Sequence, residues 1–117
     1  MEIYSLLKNT LNNNEKLLES ILSSTKEQFS SNEKSINIGI GIVNEIRNIC
    51  LTLDSDIYIL DNEFYNLITP IKTYSKNLFN NYKLVNSYKL YDALKIDVVN
   101  LKNFLNKVGK WPCIQKI

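Results

Sequence analysis

Two pairs of carboxylates are the residues of this chain whose spacing best suits chemistry. Asp54 and Asp56 form one pair, and Asp61 and Glu63 form the other. Carboxylates can act as general acid and base, but groups two residues apart do not share a helix face. The chain has no histidine, which removes the commonest general base and the commonest metal ligand. We therefore interpret these pairs as helix caps and predict no catalytic residue, no cofactor and no metal site.

Two cysteines, Cys50 and Cys113, are too few for a zinc site built from cysteine and histidine. Cys50 lies in an apolar helical pattern, where a cysteine serves as a small hydrophobic residue. A disulfide between the two is the less favoured alternative, because we expect a reducing cytoplasm. The first residues do not resemble a signal peptide, and no stretch approaches the ~18 apolar residues of a membrane span. We expect a cytoplasmic protein with no membrane partner.

A glycine pair, Gly39-x-Gly41, interrupts the segment SINIGIGIVNEIRNIC (residues 35–50) and could indicate a phosphate loop. A dinucleotide fingerprint needs a third glycine three residues later, where Asn44 stands, and a strand before the loop. The apolar residues from Ile42 onward follow helical spacing instead. We predict a helix whose glycines allow a neighbouring helix to approach closely.

Length and composition predict a single all-α domain. The chain has 117 residues, of which only three are glycine and two are proline. Such a chain has too few turn residues for an all-β fold and suits long amphipathic helices. We predict a four-helix, mainly antiparallel bundle spanning residues 1–117. The expected helices lie near 3–29, 33–59, 62–84 and 87–108, followed by a short tail, 109–117.

Local signals set the expected boundaries of the first two helices. Asn12–Asn14 is a weak point, because asparagine is a poor helix former, and we favour a solvated helix face there over a short break. Ser30-x-x-Glu33 has the spacing of a capping box and predicts a helix start near residue 32.

The last two helices have other boundary signals. Asp61 or Asn62 should start the third helix, and Thr69-Pro70 should kink or restart it. Ser87 is the expected cap of the last helix, and Gly109 lies where a helix C-cap is expected.

Periodic apolar residues identify the expected core and one expected interface. The predicted core residues are Leu7, Leu18, Ile46, Leu53, Leu67, Leu78, Leu94, Val98 and Leu101. The helix around residues 42–60 is apolar over much of its circumference, so we predict that residues 36–60 contribute to a homodimer interface. The alternative is that the first helix and the tail around Trp111 cover this surface. The predicted interface residues are Ile42, Val43, Ile46, Leu53, Tyr58, Tyr82, Tyr88 and Tyr91.

The segment LYDALKIDVVNLKNFL (90–105) resembles the C-terminal helix of a group of small all-helical bacterial proteins of unknown function. It is also similar to small helical flagellar export chaperones. The pattern in the first group is Asp-x-Leu-x-Tyr-Glu, followed by a proline and a tryptophan. The matching positions here are Asp92, Leu94, Ile96 and Asp97, with no proline in the helix. The chaperone resemblance implies binding to an amphipathic partner helix and implies no catalytic residues.

These observations predict a non-enzymatic protein–protein interaction module, a small chaperone or adaptor that binds a partner helix. The alternative is a nucleic-acid-binding helical subunit that uses scattered lysines. That alternative requires folding to gather Lys72, Lys76, Lys83 and Lys89 into one stripe. It is weakened by a net charge of only +2 and by the presence of a single arginine, Arg47. An enzyme that uses only carboxylates or tyrosines is the third and least favoured class.

Overall fold

The described part of the chain is all-helical, as predicted, and contains no strand. The computed structural model describes residues 2–52, 62–80 and 86–107. Its helices are α1 (Glu2–Asn13), α2 (Glu15–Ser23), α3 (Lys26–Ser30), α4 (Glu33–Thr52), α5 (Asn62–Asn80), α6 (Ser87–Asp92) and α7 (Val99–Lys107). A π-helical segment, Ala93–Val98, joins α6 to α7 without a break, so residues 87–107 form one continuous helix. The described residues therefore form six helices, where the sequence predicted four longer ones.

The predicted first helix, 3–29, is divided into α1, α2 and α3. Asn14 separates α1 from α2, and its side-chain amide donates to Thr10 O at 2.7 Å. An asparagine side chain that bonds nearby backbone competes with the helix, so Asn14 forms a short break, whereas Asn12 and Asn13 lie on a solvated face at the end of α1. Ser24 and Thr25 then adopt extended backbone conformations between α2 and α3.

The capping box belongs to α3 rather than to the predicted Ser30 and Glu33. Thr25 Oγ1 accepts from Gln28 N at 3.1 Å, and Gln28 Oε1 accepts from Thr25 N at 2.8 Å. Asn32 Oδ1 accepts from Ser35 N at 3.1 Å at the start of α4. Glutamine serves as well as glutamate in this motif, so Thr25-x-x-Gln28 carried the same sequence signal.

The starts of the later helices lie close to the predicted positions. α5 begins at Asn62, but it continues through Pro70 instead of restarting there. The cap of α6 is Asn86 rather than Ser87, because Asn86 Oδ1 accepts from Tyr88 N at 3.0 Å and from Lys89 N at 3.1 Å. The π-helical segment was not predicted.

One apolar core holds these helices together. Both α4 and the 87–107 helix pack against the α1–α3 run and against α5. The predicted core residues Leu7, Leu18, Ile46, Leu94, Val98 and Leu101 are all buried. Leu67 is partly buried against the core. The side chains of Leu53 and Leu78 lie outside the described residues.

Gly39 fits the prediction of close helix approach and Gly41 does not. A Cβ added to Gly39 would lie 2.8 Å from Leu94 Cδ1 and 3.5 Å from Phe29 Cζ. A Cβ added to Gly41 would meet nothing within 4 Å. Only Gly39 of the pair therefore marks a helix crossing.

Candidate functional site

The α4 residues predicted for an interface are buried within this chain. Ile42 is 2% exposed, and Val43 and Ile46 are fully buried. They belong to the core that α4 shares with the other helices. These three residues are core residues rather than interface residues. A helix face that the same chain covers presents no surface to a partner. Leu53 and Trp111 lie outside the described residues.

The predicted tyrosines divide between the core and the surface. Tyr91 is buried, and its hydroxyl donates to Ser24 O at 2.8 Å, so it is a core residue that ties the 87–107 helix to the end of α2. Tyr88 is 48% exposed, with Lys26 Nζ 5.8 Å from its ring centroid. Tyr58 and Tyr82 lie outside the described residues. Of this group, Tyr88 is the tyrosine that the structure places on the surface.

The residues considered for chemistry form no cluster in the described part of the chain. Glu63 is exposed in the first turn of α5, whereas Asp54, Asp56 and Asp61 lie outside the described residues. Cys50 is buried in the core, and Cys113 is not described. No group of three or more metal-ligating side chains occurs within residues 2–52, 62–80 and 86–107.

A groove between α4 and α5 is the candidate binding feature of the described surface, and we call it the α4–α5 groove. Its volume is about 360 Å³. It is lined by Arg47 and Leu51 from α4 and by Tyr65, Thr69, Lys72, Thr73 and Lys76 from α5. Three of the seven lining residues are cations and none is acidic, so the described lining is positively charged.

The spacing of the lining residues makes the groove elongated. On α5 they follow steps of three and four over eleven positions, which corresponds to about 16 Å along the helix axis. The adjoining face of α5 supplies core residues, namely Phe64, Ile68, Ile71 and Ser75. The same helical period therefore produces both a buried face and a binding face.

A polar contact in the core fixes α5 against α4 behind the groove. Ser75 is fully buried, and its hydroxyl donates to Asn44 Oδ1 at 2.7 Å. This bond joins the middle of α4 to the second half of α5, so it sets the register in which Arg47 comes opposite Lys72 and Lys76. Within α5, Thr69 directly precedes Pro70, and its Oγ1 donates to Tyr65 O at 2.6 Å.

The groove also carries exposed apolar surface. Leu51 is 52% exposed and Tyr65 is 45% exposed, and both lie in its lining. Single exposed apolar residues are ordinary, but two in one cationic groove form a mixed surface suited to an amphipathic partner. Arg47, Tyr65 and Lys72 each have an interaction partner within the chain.

Only part of the groove lining was predicted from the sequence. Lys72 and Lys76 were considered for a lysine stripe, and the structure brings them together with Arg47 rather than with Lys89, which is exposed on α6. Lys83 lies outside the described residues. Leu51 was not among the predicted interface residues. The available signal was the polar face Tyr65, Thr69, Lys72 and Lys76, which follows helical spacing beside the core face.

Comparison with protein-family models, with curated proteins and with solved structures gives no match for this chain. The resemblance of residues 90–105 to small helical proteins and to export chaperones therefore stays a prediction. Among the described helices, none is both long enough and apolar enough to cross a membrane.

Proposed function

We propose that this chain is a non-enzymatic protein-binding module that takes a helical segment of a partner protein in the α4–α5 groove. The observation that carries the proposal is the elongated lining itself, in which exposed Leu51 and Tyr65 share one groove with Arg47, Lys72 and Lys76. A helix that binds in a groove offers side chains at positions i, i+3, i+4 and i+7, which matches the spacing along α5.

The size of the groove indicates weak and reversible binding. A stable protein interface commonly buries about 800 Å² on each partner, which is more than one groove about 16 Å long offers. A role as an adaptor or small chaperone agrees with transient binding of this kind. The more specific role of flagellar export chaperone, the homodimer and the cytoplasmic location stay predictions.

We also propose that the fold is a four-helix, mainly antiparallel bundle. In this bundle α1–α3 together take the place of the first helix, followed by α4, α5 and the 87–107 helix. This α1–α3 unit and the 87–107 helix run antiparallel, since Tyr4 packs edge to face against Phe104 and the Tyr91 hydroxyl donates to Ser24 O. α5 also runs against the 87–107 helix, since Phe64 packs near Phe104 and the Tyr74 hydroxyl donates to Asn86 O. This alternation supports the bundle topology predicted from sequence.

Site-specific photo-crosslinking in the native host tests the proposed function. A photoreactive phenylalanine replaces Leu51 in one variant and Ile96 in the control, because Ile96 is also exposed but lies on the π-helical segment. We expect the probe at position 51 to capture a protein that the probe at position 96 does not. That protein is then purified and titrated with the unmodified chain.

Binding of the purified partner should weaken about tenfold, or ~1.4 kcal/mol, in the double variant Leu51→Ala/Lys76→Ala. The matched control is Leu17→Ala/Lys16→Ala on α2, where both side chains are exposed. Identical crosslinks from positions 51 and 96, or equal affinity in both double variants, would refute binding in the groove.

A further inference from the structure

We infer that a second copy of this chain packs against the exposed face of α4, in an antiparallel helix pair with a two-fold axis at Gly41. This surface, which we call the Gly41 face, consists of five exposed residues, namely Lys34, Asn37, Gly41, Glu45 and Asn48. The homodimer predicted from the sequence used the buried face of α4 instead. Because the Gly41 face shares no residue with the α4–α5 groove, the dimer does not depend on the proposed function.

Gly41 weakens α4 without serving the packing of this chain. A glycine in the middle of a helix is destabilising relative to alanine. The close approach of Leu94 accounts for Gly39, whereas a Cβ at position 41 would meet nothing within 4 Å. The distance between two packed helices depends on the side chains at their contact, and small ones allow the closest approach. Gly41 therefore gives α4 an exposed point at which another helix can lie close to its backbone.

Exposed leucines lie beside the Gly41 face on the α1–α2 run. Thr10 Oγ1 donates to Glu45 Oε1 at 3.3 Å, so the side of α1 that carries Thr10 adjoins α4. Backbone hydrogen bonds continue from α1 into α2. Leu6 precedes Thr10 by four residues and Leu17 follows it by seven, so both lie on that side of the run. They are 42% and 43% exposed, and a helix packed on Gly41 covers part of this apolar surface.

The charges of the Gly41 face are complementary to themselves when two copies pair antiparallel. Lys34 precedes Gly41 by seven residues and Glu45 follows it by four, which correspond to about 10 Å and about 6 Å along the axis. A two-fold axis at Gly41 leaves Lys34 and Glu45 of the partner subunit about 4.5 Å apart along the axis, which a lysine side chain spans. A parallel pair in register sets like charges side by side instead. The charge pattern therefore selects the antiparallel pair.

A second copy fits this face better than an unrelated helix. A two-fold contact requires a surface that is complementary to itself, and the lysine and glutamate of the Gly41 face meet that requirement. α4 has 20 residues, or about 30 Å, and one such face offers less than the about 800 Å² per partner of a stable interface. We therefore expect a weak dimer that dissociates in dilute solution, where unfolding and partner titrations measure the monomer.

Sedimentation equilibrium of the full chain from about 5 to about 500 μM tests the dimer. We expect the average mass to rise with concentration from that of one chain toward that of two. Gly41→Leu fills the contact point and should weaken the association about tenfold or more. The matched control is Asn100→Leu, which adds the same side chain at an exposed position of the 87–107 helix and should associate like wild type.

Charge reversal tests the antiparallel pairing. Lys34→Glu and Glu45→Lys each place like charges opposite one another across the interface, so each should weaken self-association about tenfold. An equimolar mixture of the two variants has opposite charges at both contacts and should associate like wild type. The double variant Lys34→Glu/Glu45→Lys should recover the association in the same way. Thermal melts in dilute solution establish that every variant is folded.

Three results would overturn the dimer. The first is the mass of one chain at the highest concentration of wild type. The second is association of Gly41→Leu equal to that of wild type, which would place any contact elsewhere. The third is a mixture of the two charge variants that associates no better than either alone. A chain that stays monomeric but still captures a protein from position 51 would leave the proposed function standing.

Discussion

Gly39 lies directly against Leu94 where α4 crosses the 87–107 helix, so close that a Cβ at position 39 would lie 2.8 Å from Leu94 Cδ1. Leu94 is fully buried, and its Cδ1 would have to shift to make room for a Cβ at position 39. The glycine therefore allows this close packing at the crossing, although it lowers the helix propensity of α4.

Replacing each glycine with alanine tests this relationship. Gly41→Ala should raise the free energy of unfolding by about 0.5–1 kcal/mol, because position 41 is open and alanine favours the helix. Gly39→Ala gains the same propensity but overpacks the crossing, which costs about 1–3 kcal/mol. Urea unfolding should find Gly39→Ala the less stable of the two. Equal stability of both variants would contradict the close approach.

Helical spacing predicted the all-helical class and most of the core, because a helix with one buried face has apolar residues at regular steps of three and four. Leu94, Val98 and Leu101 follow that spacing and are all buried. The breaks inside the first predicted helix give a weaker signal in the sequence. Asn14 and Ser24 interrupt the helix through their own side-chain bonds to backbone carbonyls, and the apolar pattern continues across both.

The groove depends on how α4 and α5 pair, which the pattern of one helix alone does not reveal, and the π-helical segment leaves no distinct apolar pattern. Arg47 belongs to the site because Asn44 and Ser75 set the register between α4 and α5. The π-helical segment leaves Ile96 exposed while Leu94 and Val98 stay buried, a pattern that an ordinary α-helix also allows. Tertiary contacts therefore decide the groove.

Truncation of the core leucines on the 87–107 helix should be costly. Leu94→Ala and Leu101→Ala each remove a fully buried side chain, and we expect each to lower the free energy of unfolding by about 2–5 kcal/mol. Leu17→Ala is the control, because Leu17 is exposed on α2, and it should change stability by no more than about 0.5 kcal/mol. Losses near zero at both positions 94 and 101 would mean that this face is not the core.

The Asn44–Ser75 hydrogen bond should show an asymmetric response to truncation. Ser75→Ala leaves Asn44 Oδ1 half-buried and within reach of water, at a cost of about 1 kcal/mol. Asn44→Ala leaves a fully buried hydroxyl without that partner, at a cost of about 1–3 kcal/mol. A double-mutant cycle by urea unfolding measures their coupling, which we expect to be about 1 kcal/mol. Additive effects would show that the bond does not join the helices.

Asp97 should destabilise the native state near neutral pH. It is half-buried in the π-helical segment, and this burial raises the pKa of its carboxyl above the ordinary value of 3.8. A raised pKa in the folded state means that folding favours the protonated form. Stability from this group is therefore fully present below pH 3.8 and is lost as the pH rises through the folded-state pKa.

Asp97→Asn keeps the shape of the side chain without the charge, so it should melt at a higher temperature than wild type at pH 7. The difference should shrink as the pH falls and disappear well below pH 3.8, where wild-type Asp97 is protonated in both states. Asp92→Asn is the control of opposite sign, because Asp92 pairs with Lys26 at 2.9 Å and gains from its charge. It should lower the melting temperature at pH 7. If Asp97→Asn melts below wild type at pH 7, the carboxylate is stabilised by the fold and burial does not dominate its pKa.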